Sequence, residues 1–227
     1  MRFTEVFGRA RYASMVAHDV RFPSKVLALA DVLAARMRKM NGGRLWMGAH
    51  MRRGDCKHIF PQTNNNPPLI LKHVIVISEH WLQASPAKAH IESVKEHLEI
   101  GRGVLTSLGN ISTYALEGAK PDMEQITLPP PLRDDMFYVA TDERDPEALK
   151  VISDTGAIFF SALLTNEDRR AFGWPLMITD VRAIVEQAVL AHSAYFYGNS
   201  LSSLAGAIVN LRAARGADPR TIALDRH

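Results

Sequence analysis

Met136-Phe137-Tyr138-Val139-Ala140 is followed by Asp145-Pro146, then by Gly156 and Ala157-Ile158-Phe159-Phe160. The first run is short, apolar and aromatic, and reads as a buried strand. Asp145 suits a helix cap, and Pro146 suits the first helical position, where its missing N–H costs nothing. Gly156 suits the end of that helix. The second apolar run then reads as another strand. A strand, a crossing helix and a strand are the unit of a parallel sheet.

Working outward, the same alternation recurs. Ser24 to Met40 reads as a helix capped by Ser24, with Val26, Leu27, Ala30, Leu33, Ala34 and Met37 as its inward stripe. Asn41-Gly42-Gly43 stops it, and Leu45 to Met51 follows as a strand. A second helix starts near Ser85-Pro86 and buries Ile91, Val94, Leu98, Leu105 and Leu108. Another follows Thr179-Asp180, with Val181, Ile184, Val185, Ala188, Val189 and His192 on one side. Ala194 to Tyr197 is the fourth strand. Gly198-Asn199-Ser200 turns it into a last helix that sends Leu204, Ala207, Ile208 and Leu211 inward and ends near Arg215-Gly216. The predicted class is α/β, a Rossmann-like parallel sheet flanked by helices, in one domain over 1–227. Residues 57–78 are expected to be an irregular, loosely packed insertion, and Gly118 to Arg133, with four prolines, a long surface connection. The spacing does not order the strands.

Composition narrows the function classes. The 227 residues are 47% hydrophobic and 22% charged, with a net charge of +3. The basic residues are scattered, which argues against a nucleic-acid partner and for a local phosphate site. Cys56 is the only cysteine, so no internal disulfide and no thiolate metal site can form. No run has the length of a membrane span, and the start lacks the apolar core of a signal peptide. No carboxylate or histidine cluster has metal-ligand spacing, so no metal is expected.

Three segments fall at the ends of predicted strands, where α/β sheets bind ligands. In His50-Met51-Arg52-Arg53-Gly54-Asp55, alternation sends adjacent side chains to opposite faces. One arginine then meets a phosphate, and the other bonds to structure, with Asp55 as its candidate partner. In Tyr138-Val139-Ala140-Thr141-Asp142-Glu143, Asp142 is placed to meet a ribose or a base edge, since Asp145 serves as the cap. In Gly198-Asn199-Ser200-Leu201-Ser202-Ser203, hydroxyls sit at a helix start, suited to phosphate. Each segment also has a plainer reading: an arginine pair, a helix cap, a serine N-cap. His73, His80, His90 and His97 read as solvated or partly packed.

Together the three segments resemble the peptides of the GDP-fucose-dependent fucosyltransferases, which include the protein O-fucosyltransferases and the α1,6-fucosyltransferases. The likeness is to the fungal-type O-fucosyltransferase-like proteins. His50 to Asp55 is similar to the family's first peptide, and Phe137 to Asp142 to its second. Val185-Glu186-Gln187, Phe196, Gly198, Ser202-Ser203 and Arg212 are similar to its third. The resemblance implies the C-terminal, donor-binding domain of a glycosyltransferase B architecture, with an N-terminal partner domain outside this chain. It implies inverting transfer of fucose from GDP-fucose to a protein or glycan hydroxyl, without a metal or other cofactor. Arg52 is then the catalytic residue, stabilising charge on the departing GDP. His50, Arg52, Arg53, Asp55, Asp142, Ser202 and Ser203 form the nucleotide-sugar site. The family also implies the lumen of the ER or Golgi. The chain alone is expected to transfer fucose poorly, because the acceptor is held elsewhere. The competing expectations are a GDP-binding domain without catalysis and an unrelated α/β phosphate-binding transferase.

Overall fold

The structure is a computed structural model and describes residues 22–53, 87–114, 116, 120–200 and 202–225. The expected insertion at 57–78 and Asp55 lie outside the described residues. Five strands form one all-parallel sheet: β1 (Met47–Met51), β2 (Phe137–Thr141), β3 (Ala157–Ile158), β4 (Tyr195–Asn199) and β5 (Ile222–Asp225). Their order is β3-β2-β1-β4-β5. The helices are α1 (Ser24–Met40), α2 (Ala87–Ser107), α3 (Glu124–Thr127), α4 (Pro146–Ser153), α5 (Phe160–Leu163), α6 (Asn166–Phe172), α7 (Thr179–Ala191) and α8 (Ser203–Ala214).

Side-chain alternation along the strands divides the core in two. Met47, Ala49 and Met51 of β1, with Tyr195 and Tyr197 of β4, pack under α2 and α4. Tyr138 and Phe196 pack on the other face, under α1, α7 and α8. The crossovers from β1 through β3 thus run over one face, and those from β3 through β5 return over the other. That reversal is the Rossmann arrangement. It makes the β1/β4 boundary the point where the connections diverge at the carboxyl edge.

Several local expectations need correction. The N-cap of α1 is Pro23, not Ser24, and no side chain caps it. Its inward stripe contains Leu29, whereas Leu27 is exposed; the sequence 26, 29, 30, 33, 34, 37 is the cleaner helical spacing. Phe160 does not end β3 but starts α5, and its ring is buried. In α8 the buried apolar positions are Ala205, Ile208 and Ala213, while Leu204, Ala207 and Leu211 are partly exposed. The fifth strand, Ile222–Asp225, has no counterpart among the predicted elements. The proline-rich connection is not simply a surface loop. Its helix α3 inserts Gln125, which donates to Ala194 O at 2.9 Å and accepts from Asp218 N at 2.9 Å.

Asn41 does more than stop α1. Its buried amide donates to Met136 O at 2.8 Å and accepts from Met136 N at 3.1 Å, clipping the entry to β2. Arg36 and Asp168 tie α1 to α6: the guanidinium donates twice to the carboxylate and once to Leu163 O. Asp168 is also the return half of a capping box with Thr165. The Arg36 hydrogen bonds hold the Asp168 carboxyl down, to about 2. The folded form therefore stays ionised to lower pH than the unfolded chain. This stabilisation is present above pH ~4 and is lost as pH falls toward 2. Asp168→Ala removes both cap and bridge and is expected to cost ~1–2 kcal/mol at neutral pH. Urea melts at pH 7 and pH 2.5 check this, because the difference between wild type and variant should shrink in acid.

Candidate functional site at the β1/β4 edge

The register places His50 beside Ala140 of β2. One step beyond the paired residues of β4, it faces Gly198. His50 lies on the α8 face of the sheet, opposite to Met51. Gly198 is needed there for a steric reason: a β-carbon would lie 2.7 Å from the Phe196 ring and 3.3 Å from Ala205. Its absence lets the start of α8 approach the carboxyl ends of β1 and β4.

The two arginines separate as alternation requires. Arg53 turns to the α2 face and bonds Glu143, Nε to Oε2 at 2.8 Å, with both side chains buried. Glu143 is thus a partner of Arg53, and Asp55 lies outside the described residues. Glu143 is set by further bonds, accepting from Arg144 N at 3.0 Å and Asp145 N at 3.1 Å. Arg52 is exposed, and its charge acts on the nearby His50. Asp142 accepts from the backbone N–H of Arg53. It therefore holds the exit of β1 as well as lying near His50, a structural duty that the sequence reading did not assign.

The serines also separate. Ser202 is the N-cap of α8, yet its side chain makes no capping bond. Its Oγ is buried and has no partner among the described residues. Ser202 thus holds the N-cap position that the plainer reading gave it, without the side-chain bond that such a cap ordinarily makes. Ser203 is exposed in the first turn of α8. First-turn N–H groups have no carbonyl partner within the helix, and the helix dipole favours an anion there.

His50 is 6% exposed, and its Nδ1 likewise has no partner among the described residues. Burial holds the imidazole down, to about 4; the nearby Asp142 charge opposes this, and Arg52 and His90 reinforce it. His90, on the first turn of α2, is held to about 4 by burial, with Arg53 adding to the effect and Asp225 opposing. His97 stacks on Tyr197 with ring centroids 4.1 Å apart. Both α2 histidines are thus partly packed, as expected.

Arg212, grouped by resemblance with the third segment, is not at this site. It lies in the last turn of α8, and ten residues of helix at 1.5 Å each put it ~15 Å from Ser202. It is completely buried and bonds Ser193, Ala194 and Thr221 at the opposite edge of the sheet.

Glu186 of the same segment faces inward from α7, and the Tyr138 hydroxyl donates to it at 3.2 Å. Burial pushes its carboxyl up to about 7, against the Tyr138 hydrogen bond and Arg182. The folded protein keeps this proton to higher pH than the unfolded chain does. Stability is therefore full below pH ~4.5 and falls as pH rises toward 7. Glu186→Gln, neutral throughout, is expected to gain ~1–2 kcal/mol on wild type between pH 5 and pH 8. Denaturation midpoints that move in parallel across that range would contradict this.

The arrangement suits an anion: a guanidinium and an imidazole at the exit of β1, and a hydroxyl at a helix N-terminus after β4, fall at the carboxyl edge of two neighbouring strands. Among the described residues, no three His, Cys, Asp or Glu side chains cluster to hold a metal, and no helix is long and apolar enough to cross a membrane. No protein-family model and no curated protein sequence matches this chain.

Proposed function

We propose that the chain is the GDP-fucose-binding domain of a fucosyltransferase of the glycosyltransferase B architecture, transferring fucose with inversion to a protein or glycan hydroxyl. The reading is supported by one observation above the others. His50 and Arg52 at the exit of β1, and Ser202 at the start of α8 after β4, come from two segments far apart in the chain that the pairing of β1 with β4 brings to one edge of the sheet. In this reading, negative charge grows on the terminal phosphate as GDP leaves. Arg52 and the first turn of α8 stabilise it, and preorganised donors there lower the barrier. Arg53, Glu143 and Asp142 keep the β1 exit rigid so that Arg52 is held in place.

The test is calorimetric titration with GDP, GDP-fucose, UDP and ADP. GDP and GDP-fucose are expected to bind, and UDP and ADP to bind at least tenfold more weakly, a difference of about 1.4 kcal/mol. Equal affinity for all four, or preference for another base, sinks the reading. Binding of GDP-fucose with no turnover, even alongside an acceptor-binding domain, would point to a GDP-binding domain without catalysis.

A further inference from the structure

We propose that His50 holds the phosphate end of the ligand as an imidazolium, drawing a proton from solvent as the anion seats. The proposal rests on the phosphate-site reading above but not on the identity of the base or sugar.

The argument begins with what surrounds the ring. His50 is out of solvent, and its Nδ1 has no hydrogen-bond partner among the described residues. A polar atom in that state loses its water without compensation, which is costly unless it serves something. Ser202 Oγ is in the same condition, on the loop that leads from the neighbouring strand into α8. Two such atoms at the boundary where the connections diverge point to one shared ligand. An N–H at Nδ1 and the serine hydroxyl can each donate to a phosphate oxygen.

The charges that act on the ring explain why the proton arrives with the ligand. From β1, Arg52 opposes protonation; from α2, His90 does the same; from β2, Asp142 favours it. The positive end of α8 also opposes it. Burial adds to the opposition, so the ring is neutral at neutral pH. A phosphate in the site brings negative charge and an acceptor to the same ring. Both favour the charged form, and the low-dielectric surroundings that disfavoured the lone cation strengthen its attraction to the anion. The proton moves from a buffer acid to the imidazole; no other bond is made or broken. By linkage, anion binding is then tighter at lower pH until the ligand itself protonates.

The experiment follows the ring nitrogens directly. His50 is observed by ¹⁵N NMR through a pH titration in chloride, in sulfate of equal ionic strength and in GDP-fucose; neither anion titrates near neutrality. The His50 signal is identified by its loss in His50→Gln, or in His50→Asn if the glutamine variant does not fold. In chloride the ring is expected to titrate below pH ~5, and in either anion its midpoint should rise by about two units or more, a hundredfold or greater gain in proton affinity. Calorimetry of GDP-fucose binding near pH 6, in buffers of different ionisation enthalpy, should show proton uptake that His50→Gln abolishes. A His50 midpoint that does not move in sulfate or in GDP-fucose overturns the proposal. So does proton uptake that persists undiminished in His50→Gln. A shift in sulfate, together with calorimetric titrations in which UDP binds as tightly as GDP-fucose, would support the protonation and sink the fucosyl reading, so the two fail separately.

Discussion

Arg212→Ala is expected to cost about 3–5 kcal/mol, enough to leave much of the protein unfolded at 37 °C where its total stability lies at the low end of the ordinary range of about 5–15 kcal/mol. The guanidinium is completely buried, and burial holds its pKa down, to about 10. It makes no direct bond to a carboxylate among the described residues. Its donors go to Ser193 O and Oγ, to Ala194 O at 3.1 Å, and to Thr221 O and Oγ1 at 3.3 and 2.7 Å. Ser193 and Ala194 lead into β4 and Thr221 leads into β5, so one side chain from α8 gathers the entries of two strands. Truncation leaves several buried acceptors without donors and a cavity where the side chain was. Arg215, one turn on and exposed, is the control; its alanine variant should change stability by no more than ~0.5 kcal/mol. Guanidinium denaturation of both variants distinguishes them. Near-equal midpoints would show that Arg212 is not the anchor its contacts indicate.

Arg52→Ala and Arg53→Ala are expected to fail in different ways, although the two residues are neighbours. Arg52 is exposed and close enough to His50 for its charge to act on the ring, so in the proposed reading its loss should weaken GDP binding by ~1.5–3 kcal/mol, roughly 10- to 150-fold, with little change in melting temperature. Arg53 is locked to Glu143, and both side chains are buried. Its loss removes a buried ion pair from Glu143 Oε2, while Oε1 keeps the backbone N–H groups of Arg144 and Asp145. The expected cost is ~2–3 kcal/mol of stability, below the upper range for a broken buried pair because those backbone bonds remain. GDP binding to the folded fraction of Arg53→Ala should fall less than in Arg52→Ala. Calorimetry combined with thermal melts separates the two. GDP affinity unchanged by Arg52→Ala would refute the phosphate assignment. A thermal penalty larger in Arg52→Ala than in Arg53→Ala would refute the division of labour.

The amino-acid sequence by itself determined the local periods. The bounds of α1, the capping of α4 by Asp145, the buried face of α2 and the strand character of β1, β2 and β4 follow from residues within one or two turns of each other. That the two adjacent arginines take different environments, Arg52 exposed and the Arg53 side chain buried, was also legible, because strand alternation is a property of the backbone alone. Which element lies beside which was not. The order β3-β2-β1-β4-β5 depends on contacts between residues far apart in the chain, and β5 is too short and too weakly patterned to announce itself without β4 to pair with. The same limit explains the reassigned residues. Arg212 looks like a ligand-binding cation in one dimension; only the approach of the segments before β4 and β5 supplies the carbonyls that bury it. Ser202 looks like an N-cap, and only the packing of α8 against Gly198 shows its hydroxyl buried and not used as one. Glu143 looks like a solvated acid until the exit of β1 brings Arg53 to it. Local spacing determines what a segment can become, and burial, which needs the whole sheet, decides which of its polar groups carry structure and which are left for a ligand.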